Sequence, residues 1–369
     1  MKTIVAICIY STFAIYVAAS TPRKFNNLAL EGGGTQAISY IGALLALKDT
    51  GYYKDDGYTF DQIGGSSTGC LVGLLVSLDI PPVKLEKLIY KLNIFKHTVN
   101  FDTGLFDEMP EKASTYTWIT SILKTFNLIS KTQTLLDLWL DSDSPGLSTE
   151  DTLLRLLNEI ILPLSPHRDL IENLKSITFL DLKHITNHEL RCFSTQLNDM
   201  VIYEFSVSRT PDEYVTKAVY ASMTLPGIFK PLSDGQGNTL IDGGFLYNFP
   251  ITMNDRQSVV DHTTLGISLK AKPELRQSLT PKQTALIIPD QKFKFKNLST
   301  IDYIGSIYSL IINREAMFYS QNTANENRIV YLESQINVIE TNIDANCISL
   351  AINKAYLNTL TFIKDNARY

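Results

Sequence analysis

YTFDQIGGSSTGCLVGLLVSLDI, residues 58–80, decides the fold class. Tyr58 to Ile63 reads as a short strand, Gly64-Gly65-Ser66-Ser67-Thr68-Gly69 as a tight turn, and the apolar run Cys70 to Ile80 as a helix that Pro81-Pro82 stops. The preceding residues repeat the arrangement. Phe25 to Leu30 (FNNLAL) is short and apolar, Glu31-Gly32-Gly33-Gly34 is a glycine turn, and Ile38, Ile41, Leu44 and Leu45 then recur at helical spacing until Gly51. Two consecutive strand, turn, helix units predict an α/β fold with a mostly parallel central sheet and functional loops at the carboxyl ends of its strands.

Further along, residues of about 83–147 are helix-rich and hold both tryptophans, Trp118 and Trp139; they read either as an inserted helical cap or as ordinary helices covering the sheet. Ser148 and Asp151 suit the start of a helix carried by Leu153, Leu154, Leu156, Leu157, Ile160 and Ile161. Strand candidates follow at Ile177–Leu182, Leu190–Ser194, Val201–Ser206, Thr239–Ile241 and Thr264–Leu269, with a short helix at Val215–Ser222 and an amphipathic helix over about 349–364. No internal repeat is present.

Three short motifs carry the chemistry. Gly65-Ser66-Ser67-Thr68-Gly69 fits G-x-S-x-G, in which a nucleophilic serine sits on a sharp strand-to-helix turn and the following helix, starting at Thr68, points free N–H groups toward developing negative charge. Gly32, Gly33 and Gly34 occupy the equivalent turn of the neighbouring unit, where bare N–H groups form an oxyanion hole. A phosphate-binding loop is the competing reading, but GGGTQA lacks the last glycine of a dinucleotide fingerprint and no Gly-Lys-Ser/Thr follows. Asp242-Gly243-Gly244 follows the small strand Thr239-Leu240-Ile241, which projects Asp242 from a strand end as the base for Ser67. An ordinary aspartate is a weak base for a serine hydroxyl, so burial or tight alignment has to help it. Taken alone, Asp242 would serve equally well to organise a β-turn.

Together these elements resemble the patatin-like phospholipase family over roughly residues 25–270. The glycine loop matches at Gly32, Gly33, Gly34 and the later Gly42, and G-x-S-x-G matches at Gly65, Ser67 and Gly69. Asp-Gly-Gly matches at Asp242, Gly243 and Gly244, followed by Asn248 and Pro250, and Ala221-Ser222 with Pro226-Gly227-Ile228-Phe229 looks like the family's Ala-Ser…Pro-Gly-x-Phe segment. The resemblance implies a three-layer α/β/α fold and a Ser-Asp dyad of Ser67 and Asp242 without histidine. It further implies oxyanion donors at Gly32, Gly33, Gly34 and Thr68, no metal or other cofactor, and hydrolysis of acyl esters of phospholipids or other lipids through an acyl-enzyme. Gln36 and Ala37 depart from it, since they stand where the family's loop continues to Arg or Lys and a further Gly.

Alternatives stay open at this point. Ser67, Asp242 and His262 also follow the Ser…Asp…His order of α/β-hydrolases. An acyltransferase would share the same machinery, and a storage or binding protein would retain the fold with a weakened loop. Four cysteines, one of them in the apolar leader, leave Cys70, Cys192 and Cys347; the spacing allows one bridge and implies no disulfide framework or metal site.

Residues 1–20 (MKTIVAICIYSTFAIYVAAS) read as a secretory signal or, alternatively, a retained N-terminal anchor, and so direct the chain to export or to a membrane. The organisation expected is therefore a signal at 1–20, a catalytic domain at 21–275 and a C-terminal extension at 276–369 packing on it. With 44% hydrophobic and 19% charged residues the body is globular, and its formal net charge of −5 does not suit wrapping nucleic acid. The expected partner is a lipid or phospholipid at a membrane surface, with an activating protein left open. Lys292-Phe293-Lys294-Phe295-Lys296 suits either a lipid interface or an edge strand with a solvated lysine face. Asn297-Leu298-Ser299 forms a glycosylation sequon.

Overall fold

The computed structural model describes residues 25–98, 150–226, 229–257, 259–270, 325–336, 343 and 345–366. The leader, most of the helix-rich 83–147 segment with both tryptophans, Gly227 and Ile228, the alternating 292–296 stretch and the sequon lie outside the described residues.

Strand β1 (Asn27–Leu30) is buried along its whole length. A 3-10 turn, Gly34–Ser39, leads from it into helix α1 (Tyr40–Asp49). After a two-stranded ribbon of β2 (Tyr53–Lys54) and β3 (Gly57–Tyr58), strand β4 (Gln62–Ser66) runs into α2 (Thr68–Ser77) and α3 (Pro82–Thr98). Helix α4 (Glu150–Leu156) continues as a π-helical turn over Leu157–Ile161 and is followed by α5 (Phe179–Thr186). Strands β5 (Glu189–Gln196) and β6 (Val201–Ser206) form a hairpin, α6 (Val215–Ser222) follows, and then come β7 (Leu232–Ser233), β8 (Thr239–Asp242), β9 (Thr264–Ser268), β10 (Ile329–Tyr331) and α7 (Ala345–Asn366).

The main sheet has eight strands in the order β10-β9-β1-β4-β5-β8-β7, with β6 also on β5. From β10 to β5 every pairing is parallel; β6, β7 and β8 are antiparallel to their neighbours. This is the mostly parallel α/β architecture expected. On one face Leu28, Leu30 and Ile63 join the large core shared with the helices. On the other, Ala29 packs with Phe249, Ile251 and Ile329. That face is lined by small residues. A side chain at Gly266 would meet Phe249 and Ile251, and one at Gly64 would meet Met253, so the 249–253 segment lies directly on the sheet.

One strand candidate is a helix. Ile177–Leu182 contributes only a bridge residue, Thr178, before α5 begins. Thr178 and Asp181 form a reciprocal capping box that satisfies two backbone donors at once, and Phe179, Leu182 and Thr186 then share the buried side. The six-residue segment 177–182, with four apolar residues, is too short to separate the two periods.

Gly42 also acquires a different meaning from the one its place in the glycine motif implied. It lies inside α1, and a Cβ there would sit 2.0 Å from the carbonyl oxygen of Ile352 on α7. Its missing side chain lets the C-terminal helix touch the backbone of α1, so that α7, some 300 residues along the chain, covers the helix that follows the glycine loop.

Candidate active site

Strand β5 brings the two candidate catalytic residues together. Its residues 191–196 pair with β6 along one edge, so β4, paired to 189–193, and β8, paired to 194–196, share the other edge. They approach head to head from opposite directions. Ser66 stands opposite Phe193, and Asp242 stands opposite the next residue, Ser194. The residue after the end of β4 therefore meets the last residue of β8.

That meeting is a hydrogen bond. Ser67 Oγ donates to Asp242 Oδ2 at 2.7 Å, between residues 175 positions apart. Asp242 is 1% exposed and Ser67 7%. The other carboxylate oxygen, Asp242 Oδ1, accepts the Gly244 N–H at 2.7 Å, and the Asp242 N–H is held by the Thr224 carbonyl at 2.9 Å. Both oxygens are thus aimed, one at the serine and one at the glycine turn that follows.

Ser67 has φ 51° and ψ −130°, a region that side-chain-bearing residues avoid. The strain persists because both flanks are pinned. A Cβ on Gly65 would lie 2.3 Å from the backbone of Gly69, and one on Gly69 would lie 2.4 Å from the Leu30 carbonyl, so only glycine fits at either position. Ser222 fixes Ser67 from behind: its Oγ accepts the Ser67 N–H at 2.9 Å and donates to the Phe193 carbonyl at 2.5 Å. This gives the Ala221-Ser222 pair a physical role that the sequence did not reveal, because it depends on α6 reaching across to β4 and β5.

The glycine loop lies beside this elbow. Gly33 N–H donates to Thr68 Oγ1 at 3.2 Å, and so points at the residue that follows Ser67. Gly34 takes the left-handed conformation at φ 55°. The Gly32 N–H is engaged by the Asn248 carbonyl at 3.0 Å, while Asn248 Nδ2 donates back to the Gly32 carbonyl at 3.0 Å. A Cβ at Gly32 would sit 2.9 Å from Ser67 Cβ. Gly32 is therefore the contact point between the glycine loop, the elbow and the Asp242 turn, with its N–H engaged by Asn248 as that of Gly33 is by Thr68.

Asn248 extends the same junction to Glu31, a fully buried carboxylate. Glu31 Oε2 accepts the Ser268 hydroxyl at 2.7 Å and the Leu269 N–H at 2.8 Å, tying the ends of β1 and β9.

Cys70 on α2 and Cys192 on β5 form a disulfide with a sequence separation of 122, bracing the elbow helix against the strand that aligns Ser67 with Asp242; Cys347 lies outside this bridge and is exposed. Spacing had shown only that a bridge was allowed. His262 is exposed at the start of β9. Because β9 runs parallel to β1 and β4, its amino end lies at the opposite end of the strands from Ser67. Among the described residues, no group of three or more His, Cys, Asp or Glu side chains is placed to hold a metal ion, and no helix is long and apolar enough to cross a membrane.

Comparison with known proteins gives the family. The family model described as patatin-like phospholipase matches residues 28–255. Uncharacterized protein R571 of Acanthamoeba polyphaga mimivirus is 26% identical over 241 residues, covering 64% of this chain and 65% of that one. The chain thus spans about two thirds of its viral relative. Among solved structures, VipD from Legionella pneumophila aligns with TM-score 0.48 and 18% identity, over 94% of this chain and 68% of VipD. The heterodimeric ExoU-SpcU complex from the type III secretion system of Pseudomonas aeruginosa aligns with TM-score 0.46 and 16% identity, over 95% of this chain and 53% of that chain. With the family model covering more than half the sequence and including both Ser67 and Asp242, the chain belongs to the patatin-like phospholipase family.

Proposed function

We propose that the chain hydrolyses acyl ester bonds of phospholipids or other lipids, with Ser67 as nucleophile and Asp242 as base. The observation that carries this reading is the 2.7 Å hydrogen bond from Ser67 Oγ to a buried, doubly held Asp242. In the first step Ser67 Oγ attacks the ester carbonyl carbon as its proton passes to Asp242 Oδ2. The carbonyl oxygen becomes an oxyanion beside Gly33, Gly34 and the first turn of α2, where backbone N–H groups and the helix dipole stabilise it. Collapse breaks the bond to the leaving alcohol, which takes the proton from Asp242. Water then attacks the acyl-enzyme, giving its proton to Asp242, and the fatty acid leaves as Ser67 recovers its hydrogen. Asp242 accepts and returns one proton in each half, through the oxygen that meets Ser67 Oγ.

Transfer of the acyl group to an acceptor other than water would use the same geometry, and product analysis with and without an added alcohol separates the two. The apolar leader at 1–20 and the Cys70–Cys192 bridge both support export to an oxidising compartment, where the enzyme would work at a lipid surface.

Two measurements test the reading. A fluorophosphonate probe should label the wild type and not Ser67→Ala, and phosphatidylcholine vesicles should release fatty acid with the wild type but not with Ser67→Ala or Asp242→Asn. Labelling that survives Ser67→Ala would refute it.

A further inference from the structure

We propose that Lys270 is a positioning residue that supplies, from the end of β9, the positive charge missing from the glycine loop itself; this rests on the hydrolase reading above. The sequence leaves the loop without a cation, since Gln36 and Ala37 occupy the positions where one was expected. The structure brings a cation to it from elsewhere. Lys270, 9% exposed and 234 positions along the chain from Gln36, directs its Nζ at Gln36 Oε1 over 3.4 Å. Gln36 is itself buried, and its Nε2 donates to the Ile336 carbonyl at 2.8 Å, which leaves the amide oxygen turned toward Lys270. The same oxygen lies 3.0 Å from where a side chain on Gly33 would begin, and Leu269, next to Lys270, fills the remaining space there at 2.4 Å. The ammonium is thus one amide group away from Gly33, whose N–H faces Thr68 beside the nucleophile.

The local charge balance favours such a group. Glu31, at the root of the loop, is a fully buried carboxylate anchored by Ser268 and Leu269. An oxyanion formed beside Gly33 and Gly34 adds a second negative charge to that low-dielectric neighbourhood, where electrostatic effects are least screened. A buried ammonium held at the Gln36 oxygen beside Gly33 offsets it through the low-dielectric interior, without contact with the substrate. Lys270 also continues the β9 end that Glu31 holds, so its backbone is fixed by the same bonds that shape the loop.

The test compares Lys270→Met, Lys270→Arg and the double variant Lys270→Met with Gln36→Lys in the full chain. Turnover is measured on a neutral ester, p-nitrophenyl butyrate, and on phosphatidylcholine vesicles, alongside the rate of fluorophosphonate labelling and the melting temperature. Lys270→Met should lower kcat and the labelling rate about 10- to 50-fold on both substrates while leaving KM within about twofold, as loss of an interaction made in the transition state requires. Lys270→Arg should retain most of the activity, and the double variant should recover it by returning a charge to the loop.

Unchanged kcat in Lys270→Met would overturn the proposal. So would a loss confined to the phospholipid, which would assign Lys270 to headgroup binding, or a loss that neither Arg nor Gln36→Lys restores, which would assign it to folding. Wild type that neither labels at Ser67 nor hydrolyses either ester would instead remove the hydrolase reading and this role with it; full wild-type activity with indifferent Lys270 variants removes this role alone.

Discussion

At the carboxyl end of the sheet, Ser67 sits at φ 51° between glycines that tolerate no side chain, and the groups around it meet over short contacts between turns. A few residues back along the same strands, the amino end is built from ion pairs and side-chain networks. Asp79, between α2 and α3, accepts the Tyr58 N–H at 2.6 Å and faces His188 and His167 at 3.0 and 2.8 Å, while the other ring nitrogen of His188 meets the Phe60 carbonyl at 2.6 Å. At the start of β10, the buried Arg328 reaches both oxygens of Asp255 as well as Asn325 and the carbonyls of Ile251 and Asp261. At the start of β1 and β9, Asp261 gathers Asn27, Thr263 and Thr264. The amino end holds the sheet together through charged and polar side-chain pairs, with Asp79 itself left-handed at φ 54°; the carboxyl end holds Ser67 in a strained turn with a buried hydroxyl that the rest of the fold must support.

Exchanging the properties of the two ends is the way to break this comparison. Ser67→Gly should give the largest effect, a fall in kcat on the order of 10⁴-fold or more, with stability within about 1 kcal/mol of wild type. The relieved strain offsets the lost hydrogen bond and the added chain entropy. Vesicle hydrolysis paired with urea unfolding checks both halves, and a large stability loss would mean that the elbow also holds the fold.

Arg328→Met should do the reverse. Removing a cation that is 1% exposed leaves Asp255 and two carbonyls uncompensated, so unfolding free energy should drop by about 3–5 kcal/mol while kcat of the folded enzyme is unchanged. Arg328→Lys serves as a milder variant if Met prevents folding, and a kcat loss in it would show that the two ends are coupled.

The smallest effect concerns pH. Burial pushes the Asp261 carboxyl up, but hydroxyls of Thr264 and Thr263, the Thr263 N–H and the Asn27 amide together hold it below the usual aspartate range. A depressed folded-state value contributes stability that is present above the unfolded value and is lost as pH falls through the folded one. Asp261→Asn should therefore be slightly less stable than wild type at neutral pH and converge with it in acid. Urea midpoints across that range would show parallel curves if the network contributes nothing.

The elbow and the first two strand, turn, helix units were legible because their information is local. Glycine at two sites, an apolar strand before and an apolar helix after lie within some twenty residues, and each is required by backbone sterics at that spot. The helix over Phe179–Thr186 was missed because a short apolar run does not reveal its period, whereas its capping box settles it once the chain is folded. Nothing within the glycine motif shows that the Gly32 N–H meets the Asn248 carbonyl, because that partner lies more than 200 residues away.

The sequence by itself thus determined the α/β class, the residue types of the site and the strain at Ser67. Only the tertiary structure decided who meets whom: that β4 and β8 share one edge of β5 and so join Ser67 to Asp242, that Ser222 braces the Ser67 backbone, that Cys70 finds Cys192 and that Lys270 reaches Gln36. Those pairings span tens to hundreds of residues, and they are set by strand register and core packing, which no local pattern encodes.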